Sequence, residues 1–194
     1  MILTHEFLRS QPRNIYGAAF ESVGSQILNE NTRIYETNRN FDVFLSHSSL
    51  DQKEVLNLID LFNKCGYSVY VDWIFDKQLD RSNVTPKTAQ TLRTRMKQSR
   101  GLSYLDTENA SHSKWCPWEL GYFDGLRNSR CCILPVLDHA TSTYRGQEYL
   151  GLYPYLQYAK YANSDKYDFW VYAQDSSKYV LLKSWLQGTD PCEH

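Results

Sequence analysis

No run of about eighteen apolar residues occurs in this 194-residue sequence, so no segment of it reads as a membrane-spanning helix. Glu6, Arg9 and Arg13 interrupt the first twenty residues, which excludes the continuous apolar region of a signal peptide. Neither sign of charge is in excess. The formal net charge is −1, which leaves no global field to gather nucleic acid or acidic lipid. Paired metal-ligand spacing is missing as well: the five cysteines are scattered at 65, 116, 131, 132 and 192, with no Cys-x-x-Cys among them. His112 and Cys116 lie four apart, but two lone ligands do not make a zinc site, and no metal is expected. Glycine-rich phosphate loops are absent, as is the G-x-S-x-G elbow of serine hydrolases. Internal repeats and low-complexity tracts are lacking. The cysteines read as small buried hydrophobes of a reducing compartment, and the expected location is cytoplasmic.

What is present is aromatic content, at 14%, and an alternation of strand and helix signals. Residues 1–40 are polar, with helical signals around Phe7-Leu8 and from Ile15 to Ile27 and a connector at 37–40, and are expected to form an N-terminal helical extension. Phe41 to Leu45 is a short apolar run of the kind found in parallel strands buried on both faces. Ser49-x-x-Gln52 resembles a capping box opening a helix whose stripe is Val55, Leu58, Ile59 and Phe62. Gly66 is placed to end it, and Tyr67 to Val71 reads as the next strand. A polar loop over Asp76–Val84 leads to Thr85-Pro86, a helix start with proline at the first position. Ala89, Leu92 and Met96 mark that helix's buried side. Gly101 precedes a strand from Leu102 to Leu105, a helix follows over about 115–128, and Cys131 to Leu137 is a fourth strand.

This alternation predicts an α/β fold, a flavodoxin-like doubly wound parallel sheet over residues 41–140. Nine of the fifteen tyrosines follow residue 140. Residues 141–194 are expected to form a Tyr-rich C-terminal extension packed on that core, with a strand over Asp168–Tyr172 and a closing helix over Val180–Leu186. Its rings serve either as an aromatic interface or as packing against the sheet.

In open α/β sheets a ligand sits beyond the carboxyl ends of the strands, where strand order reverses. In a flavodoxin-like order that point lies between the first and third strands. The loop after the first is Ser46-His47-Ser48-Ser49; the loop after the third runs from Asp106 to Lys114 and delivers Trp115 and Glu119. Asp72-Trp73, at the end of the second strand, borders the same rim. Each residue also has a plainer reading. Glu119 in a first helical turn complements a helix dipole, Trp115 and Trp118 serve as core anchors, and Ser48 and Ser49 cap helices. His47 caps a turn, and Arg93, Arg95, Lys97 and Arg100 form a solvated helix face.

At these residues the chain resembles the Toll/interleukin-1 receptor (TIR) domain family. Phe41-Asp42-Val43-Phe44-Leu45-Ser46-His47 is similar to its first box, in the form seen in bacterial members. Tyr67-Ser68-Val69-Tyr70-Val71-Asp72 is similar to its second strand. Ser113-Lys114-Trp115-Cys116-Pro117-Trp118-Glu119-Leu120 is similar to its Ser-x-Trp-Cys-x-x-Glu segment, which carries the catalytic glutamate of members that cleave NAD. The resemblance covers about 41–137. Some enzymatic members carry arginine where this chain has His47-Ser48, so the phosphate-holding residues stay unassigned.

The resemblance implies a bacterial TIR NAD glycohydrolase or cyclase of the antiphage-defence (Thoeris-like) type. NAD is then a substrate rather than a cofactor. Glu119 is the expected catalytic residue, with Ser46, His47, Ser48, Asp72 and Trp115 binding substrate. Homo-oligomerisation on activation is expected, with a product that acts on a separate effector protein, and neither nucleic acid nor membrane as a partner. A carboxylate against the ribose would stabilise an oxocarbenium-like transition state, while nicotinamide leaves as a neutral molecule. Two other readings stand beside this one: a non-catalytic TIR interaction module, and a nucleotide-binding domain like a nucleoside deoxyribosyltransferase.

Overall fold

A computed structural model describes residues 3–11, 40–76, 85–126, 130–138, 148–174 and 177–193. Its first elements are β1 (Leu3–Thr4) and α1 (His5–Ser10), the latter capped by Thr4 and covering the expected helical signal at Phe7-Leu8. The second helical signal, Ile15 to Ile27, lies outside the described residues, as do the connector short of Asn40 and the 76–84 loop beyond Asp76.

The apolar run at Phe41 is β2 (Phe41–Ser46). It leads through a 3₁₀ turn at Ser49–Asp51 into α2 (Gln52–Lys64). Ser48, and not Ser49, supplies the cap, accepting a hydrogen bond from the Leu50 amide at 3.4 Å. The predicted stripe of Val55, Leu58, Ile59 and Phe62 is wholly buried. Gly66 ends the helix in the left-handed region at φ 84°, where a side chain would be strained. Then come β3 (Val69–Tyr70), shorter than expected, and α3 (Asp72–Phe75), a single turn. Helix α4 (Pro86–Lys97) starts as predicted, with Thr85 accepting from the Thr88 amide and proline at the first turn.

Strand β4 (Ser99–Asp106) is longer than its apolar stretch and takes in Gly101. It is followed by α5 (Glu108–Ser111), α6 (Trp115–Asp124) and β5 (Cys131–Leu137). The C-terminal part adds β6 (Tyr155–Lys160), which the sequence reading did not anticipate, and β7 (Tyr167–Tyr172). The segment expected as a helix over Val180–Leu186 begins as β8 (Tyr179–Leu181) and turns helical only in α7 (Leu182–Leu186). Pairing of Val180 with Val171 on β7 holds its first residues extended.

One sheet runs β3-β2-β4-β5-β6-β7-β8, with β1 alongside β5. Pairings from β3 to β6 and of β1 with β5 are parallel, while β6, β7 and β8 pair antiparallel. Alternate strand residues feed two cores, as the period of two requires. Val43, Leu45, Cys132 and Leu134 face α1, α2 and α7, whereas Phe44, Leu102, Tyr104 and Ile133 face α4 and α6. The result is a central parallel sheet covered by helices on both sides, the predicted architecture. None of the described helices is long and apolar enough to cross a membrane.

Two features of this frame place the site. The chain leaves β2 to one side for β3 and returns on the other for β4, so strand order reverses between β2 and β4. Ser46 ends β2 beside Tyr104 of β4.

Candidate active site

Helix α6 brings the second half of the site to that reversal. Ser113 accepts hydrogen bonds from the amides of Trp115 and Cys116, both at 3.3 Å, satisfying two donors that an unfinished helix end leaves open. Pro117 falls in the first turn, where its missing N–H costs nothing. The buried side of the helix is Trp115, Cys116, Glu119, Leu120 and Phe123. Glu119 therefore sits within an otherwise apolar stripe, and its side chain turns into the protein. A carboxylate serving only the helix dipole would sit in water.

Ser46 and Glu119 meet. The Ser46 hydroxyl donates to Glu119 Oε2 at 2.6 Å, a length typical of a charge-assisted bond, across 73 residues of sequence. Both are buried, with Glu119 at 0% exposure. Substrate can touch this carboxylate only when the side chains over it shift. The low-dielectric surroundings that cover it are also those in which a fixed charge acts most strongly.

His47 and Asp72 form a second group, joined to the first through the Ser46–His47 peptide. The Trp73 indole N–H donates to His47 Nε2 at 3.1 Å, so that nitrogen carries no proton. His47 Nδ1 lies 2.8 Å from the Leu45 carbonyl oxygen, which only accepts, so Nδ1 is the protonated position. The ring is a neutral imidazole with both nitrogens engaged inside the protein. Asp72 Oδ1, 3.6 Å from Nε2, is then a close neighbour and not the partner of a charged histidine.

Ser48 holds the turn that follows, by the cap already described. Trp115 is buried and meets Trp118 edge-on, with ring centroids 5.4 Å apart. Trp118 stacks on Tyr122 at 5.7 Å, and the Arg93 guanidinium lies over both rings. All six residues read from the sequence thus stand at the carboxyl ends of β2 and β3 or on the first turns of α6.

Two buried carboxylates nearby escaped the sequence reading. Asp51 accepts from the Thr107 hydroxyl and from the Asn109 amide, both at 2.6 Å, tying the turn after β2 to α5. Asp76 accepts from Tyr70 at 2.8 Å and from Arg95 Nε and Nη2 at 2.9 and 3.0 Å. Burial, the Asp76 charge and its hydrogen bond push the Tyr70 phenol far above its ordinary range. The expected solvated face is corrected accordingly. Arg95 is clamped on Asp76 and Arg93 covers aromatic rings, whereas Lys97 and Arg100 are exposed, Arg100 pairing with Asp42 from β4. An Asp and an Arg nineteen residues apart, across a loop, carry no local spacing signal. A hollow of about 340 Å³ beside Arg130, Tyr153 and Trp185 opens at the amino end of β5, away from Glu119.

Comparison with known proteins identifies the family of the fold. Residues 43–170 match the family model described as TIR domain. The chain is 44% identical over 173 residues, 89% of each protein, to "Probable 3' cyclic ADP-D-ribose synthase ThsB'" of Bacillus cereus (strain MSX-D12). It is 36% identical over 94 residues to "Putative cyclic ADP-D-ribose synthase TIR2" of Cytobacillus dafuensis, a match covering 48% of this chain and 25% of that protein.

Proposed function

The chain belongs to the TIR domain family, and from that premise we propose that it cleaves the nicotinamide–ribose bond of NAD and closes the ADP-ribose product into a signal nucleotide for antiphage defence. The observation that carries the reading is the Ser46–Glu119 bond, which puts a buried carboxylate at the strand-order reversal, where such folds hold nucleotides. Two relatives named as cyclic ADP-D-ribose synthases support it.

Nicotinamide departs with the electron pair of its glycosidic bond and is neutral once released, so the leaving group needs no acid. Positive charge develops on the ribose. Glu119, held by Ser46, opposes that charge from a fixed position, and the cost of orienting it is met in folding rather than at the moment of reaction. A nucleophile on the same nucleotide then bonds to the ribosyl carbon and releases its proton, giving the cyclic product; water in its place gives hydrolysis. Trp115 walls the site one helical turn from Glu119. Ser46, His47, Ser48 and Asp72 line the nucleotide, with His47 acting as a neutral group. NAD is substrate and no resident cofactor is needed. The protein self-associates on activation, works in the cytosol and delivers its product to a separate effector. The free thiols of all five cysteines favour such a compartment.

The test is incubation of purified protein with NAD, at low concentration and self-assembled, with products resolved by mass. Nicotinamide and a cyclic ADP-ribose are expected, and Glu119→Gln should abolish both. Assembly without nicotinamide release would make the protein an interaction module. Base exchange between deoxynucleosides would make it a transferase.

A further inference from the structure

Asp51 occupies the helix-capping position before α2, yet its carboxylate makes no capping bond. An aspartate there ordinarily stabilises a helix by accepting hydrogen bonds from its first amides. Here both oxygens are directed across the crevice instead. Oδ2 takes the Thr107 hydroxyl and Oδ1 the Asn109 amide, and Asp51 is 1% exposed. On its own side, the Asp51 amide donates to the Ser48 carbonyl at 3.0 Å, which fixes the turn carrying Ser48. On the far side, Thr107 Oγ1 also accepts from the Ala110 amide at 3.1 Å. The Ser113 amide in turn donates to the Ala110 carbonyl at 3.0 Å, and Ser113 caps α6 through Trp115 and Cys116. One unbroken relay thus runs from the Ser48 turn, through Asp51, Thr107 and α5, to the start of the helix that presents Glu119.

We propose that Asp51 is a positioning residue of the active site, setting the α6 first turn and Glu119 at working distance from the Ser46–Ser48 turn. It touches neither substrate nor reacting atoms. Both carboxylate oxygens already accept short bonds, so the group is committed to holding two loops in register and not to proton transfer. Glu119 and Ser46 join the two sides directly, and Asp51 joins them a second time through Thr107 and Asn109.

The role rests on the NAD-cleaving reading, and the experiment separates the two. Asp51→Asn sets an amide against the Asn109 amide, while the double exchange D51N/N109D restores one amide facing one carboxylate. For nicotinamide release at a temperature where all variants are folded, Asp51→Asn is expected to lower kcat about tenfold or more, because displacing a catalytic group by a fraction of an ångström has that effect. KM for NAD should move less than about twofold, and the double exchange should recover most of the loss. A kcat equal to that of the unaltered protein overturns the proposal. Hydrogen exchange supplies a readout independent of turnover. In Asp51→Asn the amides of Trp115 and Cys116 and those of residues 48–51 should exchange faster, while β5 is unchanged. Unchanged exchange at α6 overturns the proposal whether or not NAD is consumed. Faster exchange in a protein that never releases nicotinamide upholds the coupling of the two loops and strikes only the NAD reading.

Discussion

Ser46→Ala removes a single oxygen, and its cost follows from where that oxygen points. The hydroxyl donates to a carboxylate with no exposed surface, so its loss takes one donor from a buried acceptor. Such deletions cost about 1–3 kcal/mol. We expect Ser46→Ala to lower the melting temperature by several degrees and to slow nicotinamide release, with Ser46→Thr recovering part of both. A melting curve unchanged by the alanine would show that the bond contributes nothing. At this scale, what the sequence made legible divides by distance. Glu119 was found because the Ser-x-Trp-Cys-x-x-Glu segment that carries it is local, and because topology alone returns Ser46 to the same crevice. Asp51 and Asp76 were missed. Their partners Thr107 and Arg95 lie 56 and 19 residues away, and an aspartate before a helix reads as a cap until the fold shows it turned elsewhere.

Elements were legible where one periodicity ruled the whole segment. β2, α2, α4 and β5 sit close to where apolar spacing put them, and Thr85-Pro86 starts its helix as the chemistry of that pair requires. Boundaries moved where a neighbour decided. β8 takes residues that look helical because β7 offers them a ladder, and β6 hid among tyrosines that are half-buried on either face. The N-terminal helix shows how a short element of poor intrinsic stability is held. His5 Nδ1 and Arg9 Nε lie 3.1 and 3.0 Å from Glu54 Oε1 on α2. Burial raises the Glu54 carboxyl, but hydrogen bonds from His5, its own backbone and Arg9, with the Arg9 charge, outweigh this and hold it below its ordinary value of 4.5. A carboxyl lowered in the folded state stabilises at pH above that ordinary value, and its contribution disappears as pH falls through the lowered one. Amide exchange over residues 3–11 should therefore accelerate below about pH 4.5 relative to β5. Glu54→Gln should show fast exchange already at neutral pH and a flattened response to acid. Equal protection of residues 3–11 in both proteins at pH 7 would rule out the latch.

The described residues form one sheet and draw two cores from segments far apart in the chain. Leu3 and Leu8 from the N-terminus and Leu156, Phe169, Val171, Leu182 and Trp185 from the C-terminal part pack with Val43, Leu45 and Leu134. Gly101 records how closely α7 approaches β4. A Cβ there would lie 2.5 Å from Leu186 Cδ2, 3.2 Å from the Arg130 carbonyl oxygen and 3.2 Å from the Trp185 ring. The leucine end can swing away, but the carbonyl is backbone and the indole is 3% exposed. Gly101→Ala should thus cost about 1–3 kcal/mol by overpacking, although it lies in β4 and touches nothing of the active site. Ending the chain after residue 140 should do far more. Each large apolar side chain that loses its burial forfeits about 1.5–3 kcal/mol, and removing β6, β7, β8 and α7 strips out enough of them to reach the order of 10 kcal/mol. That is about the whole net stability of an ordinary domain. It also exposes an edge of β5, a template for aggregation. A 41–140 fragment is expected to be insoluble or to melt without a cooperative transition by circular dichroism, however complete its set of Ser46, Asp72 and Glu119. A cooperative melt from that fragment would mean that the site's two halves are held by β2–β5 and their helices alone, with the Tyr-rich strands an accessory to them.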